Sequence, residues 1–265
     1  MFKRVARRLL PEEVFDQIRD RILRGEMEPG EPLPAERSLA ELLGVNRNAV
    51  REGLKRLQQA GLVAIHQGGT TRVLDFKRTA GLELLGSLVV GRDGTIDTGI
   101  VRGILELRTE LGPVIGRLAA RRASRVHVKS MHEVVARMRE TKDDEALARL
   151  ALDFWAVVVS STENLALELA FNSLAASYGG ILAQLRHVMA DETRATDDYA
   201  ALVDSTEAHD AENAADRARR IVSRGEASIG KIVKAVDAVQ RAISPETPAR
   251  KSEEPSRTNR KKESP

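Results

Sequence analysis

Arg47, Asn48, Arg51 and Lys55 fall on one side of a segment whose pattern predicts a helix from Arg47 to about Ala60. An arginine can donate two hydrogen bonds to guanine O6 and N7, and an asparagine amide can pair with adenine. The start of a helix also carries partial positive charge suited to phosphate. This set could therefore enter the major groove of duplex DNA. A solvated helix face offers the same residue types, so the assignment depends on the elements that hold it.

On the opposite side of that segment Val50, Leu54 and Leu57 recur at i, i+4 and i+7, which gives the helix a core-facing stripe. Asn46 precedes it as an N-cap, and Gly44 with Val45 forms a tight turn after a second helix over Ala35 to Leu43. Two short helices joined by a glycine-containing turn are the helix-turn-helix pattern. Upstream, residues 12 to 24 place Val14, Ile18 and Ile22 on one face of a helix ending near Gly25, followed by the proline-punctuated turn MEPGEPLP. Downstream, Leu62 to His66 and Thr71 to Asp75 read as strands separated by Gln67, Gly68, Gly69 and Thr70, a β-hairpin with a glycine-rich tip. The whole is a winged helix. Residues 1 to 76 hold 13 Lys and Arg against 11 Asp and Glu, so the basic residues must be segregated on one side for DNA to be held well.

The run LPAERSLAELLGVNRNAVREGLKRLQQAGLV, with the hairpin HQGGTTRV, resembles the DNA-binding domain of the GntR family of bacterial transcriptional regulators, over about residues 10 to 75. The resemblance implies that Arg37 meets the DNA backbone, that Arg47 and Arg51 supply base and phosphate contacts, and that Asn46 and Asn48 flank them. It puts the wing tip at Gln67, Gly68 and Gly69. Members with a His-Gly tip carry histidine where this chain has Gln67, with His66 one residue earlier.

From Thr79 to Ile243 the chain carries long apolar patterns of helical period with few breakers, which predicts an all-helical bundle with no sheet. One pattern, Ile100, Ile104, Leu107, Leu111, Val114 and Leu118, predicts the buried face of a helix. The expected fold is therefore mainly α. An N-terminal winged helix-turn-helix (1–76) is followed by an all-α ligand-binding and dimerisation domain (77–243) and a disordered tail (244–265). The tail carries four of the nine prolines and ten charges, with one apolar residue.

The second half is similar to the effector domain of the FadR subfamily, through its entry DFKRTAGLELLGSL, through Arg108 within its helix, and through SSTENLALEL as the break between two bundle helices. Many members of that subfamily hold a divalent metal with one aspartate and three histidines. Counting back from Asn164, the histidine position is Trp155 and the aspartate position Ala151, while the five histidines are scattered; no metal site is expected. The resemblance then implies the metal-free regulators that bind long-chain acyl-CoA. Arg108 would answer the ligand's charge or, equally, form a salt bridge with Glu106, Glu110 or a distant acid. Trp155 would line the pocket or simply fill the space of the missing metal site, and Tyr199 and Ser228 are further ligand candidates. The alternative is a metal-dependent regulator sensing a small carboxylate or sugar acid.

The composition narrows the rest. The chain has 265 residues and no cysteine, which excludes a disulfide scaffold, a thiolate nucleophile and sulfur-ligated zinc, and fits a reducing cytoplasm. No catalytic constellation or phosphate loop has usable spacing, and no apolar stretch reaches the ~20 residues of a membrane span. With 42 Lys and Arg against 39 Asp and Glu, the net charge is only +3, so any nucleic-acid footprint is local. The expectation is a cytoplasmic homodimer and not an enzyme. It binds a palindromic double-stranded DNA operator, without cofactor or membrane, as a repressor responding to a small-molecule effector of fatty acid metabolism.

Overall fold

The computed structural model describes residues 10–66, 70–89, 96–178 and 189–243. Helix α1 (Leu10–Leu23) buries Val14, Ile18 and Ile22. Helix α2 (Glu36–Leu43) ends on Gly44, which takes a left-handed φ of 64° that favours glycine and lets the chain turn at once into α3 (Arg47–Gln59). The Asn46 side chain accepts a hydrogen bond from the Ala49 N–H at 2.8 Å and so caps α3. Strands β1 (Val63–Ile65) and β2 (Thr71–Val73) pair antiparallel, with Val63 opposite Val73. The hairpin's inner face closes a core with α1, α2 and α3 around Val50, Leu54, Leu57 and Leu62. The expected winged helix is present. Its tip, Gln67, Gly68 and Gly69, lies outside the described residues, as does the tail from 244.

A connector follows: α4 (Phe76–Thr79), a 3₁₀ turn (Leu82–Leu84) and α5 (Leu85–Val89). Leu84 is buried in the winged-helix core, while Val89 packs with Ile104 and Leu174 of the bundle. The boundary expected at 76 is thus a segment shared by both cores.

The bundle contains α6 (Thr98–Arg122), α7 (Arg125–Glu140), α8 (Asp144–Ser160), α9 (Leu165–Tyr178), α10 (Ala190–Thr193), α11 (Thr196–Glu207) and α12 (Ala211–Ile243). Asp97, Ser124 and Asp143 cap α6, α7 and α8 through their side chains. Between α8 and α9, Asn164 Oδ1 accepts the Ala166 N–H at 3.1 Å, which marks SSTENLALEL as a helix break. The core is filled by Met131, Phe154, Leu202 and Ile221, with Tyr199 set edge-on to Phe154 at 5.0 Å between ring centroids.

The stripe expected on α6 is corrected. The buried set is Ile104, Leu105, Gly112, Ile115, Gly116, Ala119 and Ala120, whereas Val114 is 40% exposed. The reason is that α6 packs along α12 through small residues: a Cβ on Gly116 would come within 2.7 Å of the Ala214 carbonyl oxygen and 2.8 Å of Ala218 Cβ. Glycine and alanine let two backbones approach but add little to a hydrophobicity pattern.

Candidate nucleic-acid interface and effector cavity

The outer face of α3 is where the sequence placed it. Arg47, Asn48, Arg51 and Lys55 are all exposed, and Val50, Leu54 and Leu57 are buried beneath them. Asn46 is exposed but its side-chain oxygen is committed to the helix cap, leaving the amide nitrogen for other contacts. Arg37 stands on α2 with its side chain 81% exposed, near Glu41 at 3.1 Å. His66 is exposed at the end of β1.

Two acidic residues pair with this face: Glu52 meets Lys55 at 2.9 Å, and Glu36 meets Arg51. Glu36, at the start of α2, takes a two-point grip on Arg51: Nε donates to Oε1 at 3.1 Å and Nη2 to Oε2 at 2.9 Å. Its carboxyl is held below the usual carboxylate range, first by the Arg51 hydrogen bond and then by the charges of Arg51, Arg47 and Lys55. The grip uses the Nε side of the guanidinium. Nη1 takes no part in the grip, and the Arg51 side chain stays 53% exposed.

Inside the bundle, α6, α8, α9, α10 and α12 enclose a cavity of about 70 Å³ whose walls are almost wholly apolar, among them Leu111, Ile115, Leu152, Phe171, Leu174 and Val222. Among the described residues, Arg108 and Glu192 are the only charged ones lining it. Arg108 Nη2 donates to Glu192 Oε1 at 2.8 Å, with side chains 13% and 1% exposed. The other carboxylate oxygen lies against Gly225 on α12, where a Cβ would overlap it. Burial pushes the Glu192 carboxyl above the usual range, against the pull of Arg108. Trp155 lines the same cavity, on α8. Tyr199, fully buried beside it, is pushed well above the ordinary phenol value by burial and by the Glu192 charge.

Of the four ligand candidates from sequence, Arg108 and Trp155 line the cavity and Tyr199 borders Glu192 behind it. Ser228 stands apart from these three: its hydroxyl donates to Asp191 at 2.9 Å, one turn beyond Gly225 on α12, and it is not among the described lining of this cavity. The partner of Arg108 is neither Glu106 nor Glu110 but an acid 84 residues away, on the four-residue helix α10. Ala151 also lines the cavity beside Trp155, where metal-binding relatives were expected to carry aspartate and histidine. Among the described residues, no group of three or more His, Cys, Asp or Glu could hold a metal ion, and no helix is long and apolar enough to cross a membrane.

Two family descriptions match the chain: bacterial regulatory proteins of the gntR family over residues 10–73, and the FCD domain over residues 103–224. The HTH-type transcriptional regulator Mce2R of Mycobacterium tuberculosis is 44% identical over 201 residues, covering 76% of this chain and 83% of that protein. The uncharacterized HTH-type transcriptional regulator Rv0494 of the same species is 36% identical over 184 residues, covering 68% and 73%. A fatty acid metabolism regulator protein of Yersinia pestis is 37% identical over 126 residues, covering 48% and 50%. Among solved structures, a GntR family member of Pseudomonas syringae aligns over 88% of this chain and 89% of its own at 19% identity, with a TM-score of 0.47. With the winged helix, the bundle, the two family descriptions and the Mce2R relative in agreement, the chain belongs to the GntR family of bacterial regulatory proteins, as a DNA-binding transcriptional regulator with a FadR-like effector domain, and not to the enzymes.

Proposed function

We propose that the protein is a cytoplasmic homodimer that holds a palindromic operator through two copies of the α3 face and leaves it when an acyl-chain metabolite, with long-chain acyl-CoA the first candidate, enters the bundle cavity. The observation that carries this reading is the cavity itself: apolar walls with one buried arginine at the end suit an amphipathic ligand with an acidic group. The relative named a fatty acid metabolism regulator protein supports a lipid theme. Arg37, Arg47, Asn48 and Arg51, with the wing at Gln67, Gly68 and Gly69, carry the DNA contacts in this reading, and the target genes belong to lipid metabolism.

The size of the cavity supplies a switching device. At about 70 Å³ it is well below the roughly 300 Å³ at which ligand pockets begin, so a chain can enter only by moving a wall. Helix α9 supplies that wall through Phe171 and Leu174, and Leu174 also packs against Val89 of the connector. A ligand that widens the cavity therefore pushes on the segment that carries the winged helix. It releases DNA only if it binds the DNA-free arrangement more tightly than the DNA-bound one.

The test is fluorescence anisotropy on an operator fragment selected from genomic DNA, titrated with acyl-CoAs and free fatty acids of increasing length, alongside light scattering of the free protein. Release that deepens with chain length, from a dimer, is the expected result. Indifference to every acyl compound, with release by a small carboxylate plus a divalent metal, would replace this reading by the metal-dependent one.

A further inference from the structure

The charges of the cavity narrow the acyl class further, on the reading of this cavity as the effector site. Arg108 already has a counter-charge in Glu192, so the described lining is neutral. A headgroup with several phosphate charges finds no second cation among the described lining residues. An apolar chain end directed at this part of the cavity would meet the side chains of Glu192 and Trp155, whose Oε2 and Nε1 atoms are buried without a hydrogen bond of ordinary geometry among the described residues. Burying such groups against hydrocarbon without a partner is unfavourable. The end of the cavity is built for a small oxygen-bearing head.

We propose that Glu192 is an internal stand-in for the effector's carboxylate, and that a free monocarboxylic acid of medium chain length enters head first, takes over Arg108, and leaves Glu192 to bind one proton. The exchange balances. A carboxylate arrives and pairs with Arg108; Glu192 loses its only cation and takes a proton from solvent, and its neutral acid group can then donate a hydrogen bond to the newcomer or to Tyr199. The cavity stays neutral throughout.

The surroundings of Glu192 support that proton uptake. Its side chain is 1% exposed, and among the described residues the charged or titratable groups that face it are Arg108 from α6 and Tyr199 from α11. From α8 it faces Trp155, and from α12 Gly225, neither of which carries a charge. Asp191 is turned to Ser228, and Arg194 to Asp144, on the outside of α10. Even with Arg108 in place, burial holds the Glu192 carboxyl above its usual range. With Arg108 withdrawn, the desolvation that raises its value is set against the Gly225 backbone hydrogen bond, which favours the ionised form.

Isothermal titration calorimetry with sodium decanoate tests this on the unmodified protein, in buffers of different ionisation enthalpy and between about pH 7 and 9. The expected result is uptake of about one proton per decanoate and an affinity that falls about tenfold per pH unit. Decanol, with the same chain and no acid, should show neither. In Glu192→Gln the pH dependence should vanish; should that variant fail to fold, the slope of the unmodified protein decides alone. Decanoate that binds without proton uptake, or decanoyl-CoA that binds where decanoate does not, would overturn the proposal and leave the cavity as effector site. Failure of both compounds to bind would remove that reading and the proposal with it.

Discussion

Arg51 meets Glu36 on the surface of the winged helix, and Arg108 meets Glu192 inside the bundle. The contacts are nearly equal in length, 2.9 and 2.8 Å, yet Glu36 is held below the usual carboxylate range and Glu192 above it. Surroundings decide the sign. Glu36 keeps 29% of its side-chain surface in water and adds the charges of Arg47 and Lys55 to a two-point hydrogen bond, so its ionised form is favoured. Glu192 keeps 1%, has one cation, and loses more by desolvation than Arg108 returns. The surface pair keeps Arg51 oriented at small cost and open to DNA. The interior pair is buried, and there desolvation opposes the ionised Glu192 that Arg108 favours.

The comparison breaks most visibly if each arginine is removed in turn. Arg108→Leu strands Glu192 as a buried, unpaired acid and should lower stability by about 3 to 5 kcal/mol in chemical denaturation, whereas Arg108→Leu combined with Glu192→Leu should recover most of that loss. A single variant no worse than the double one would mean that the buried pair is not an energetic unit. Arg51→Ala should leave the melting temperature almost unchanged, since exposed pairs contribute little.

The next effect belongs to DNA. Arg47→Ala and Arg51→Ala should each weaken specific operator binding roughly ten- to hundredfold in anisotropy titrations, with circular dichroism unchanged. Equal weakening of non-specific DNA would reassign these residues to phosphate contact alone.

The smallest effect is the pH dependence of stability, and it sharpens the contrast. Glu36, with its folded value lowered, contributes stability above the ordinary carboxylate value of ~4.3 that is lost as pH falls through the lowered one. Glu192, with its folded value raised, contributes stability present below the ordinary value that is lost as pH rises through the raised one. Denaturation of Glu36→Gln and Glu192→Gln across pH 3 to 8 should therefore diverge from the unmodified protein at opposite ends of the range. Parallel curves would remove the distinction between the two sites.

The two regions also differed in how much their sequence revealed. The winged helix is built from local signals: an asparagine cap, a glycine turn and a period of 3.6 that puts Arg47 and Arg51 opposite Val50, Leu54 and Leu57. The exposure of its α3 face could be read almost residue by residue, but not the grip of Glu36 on Arg51, which joins two helices at an angle no linear pattern reports. The bundle was legible as helices but not as packing. The α6 face shifted because Gly112 and Gly116 form the seam with α12, and hydrophobic periodicity does not count glycine. Arg108 and Trp155 could be named because the resemblance pointed at their positions. Glu192 could not, since it sits on a four-residue helix with no period and becomes significant only through a partner 84 residues earlier.

The most direct test of the account is operator release by decanoate from the Arg108→Leu, Glu192→Leu double variant, measured by anisotropy beside the unmodified protein. The account expects both proteins to bind the operator with the same affinity and only the unmodified one to let go. Undiminished release from the double variant would contradict it, by placing the effector somewhere other than the cavity that Arg108 and Glu192 close.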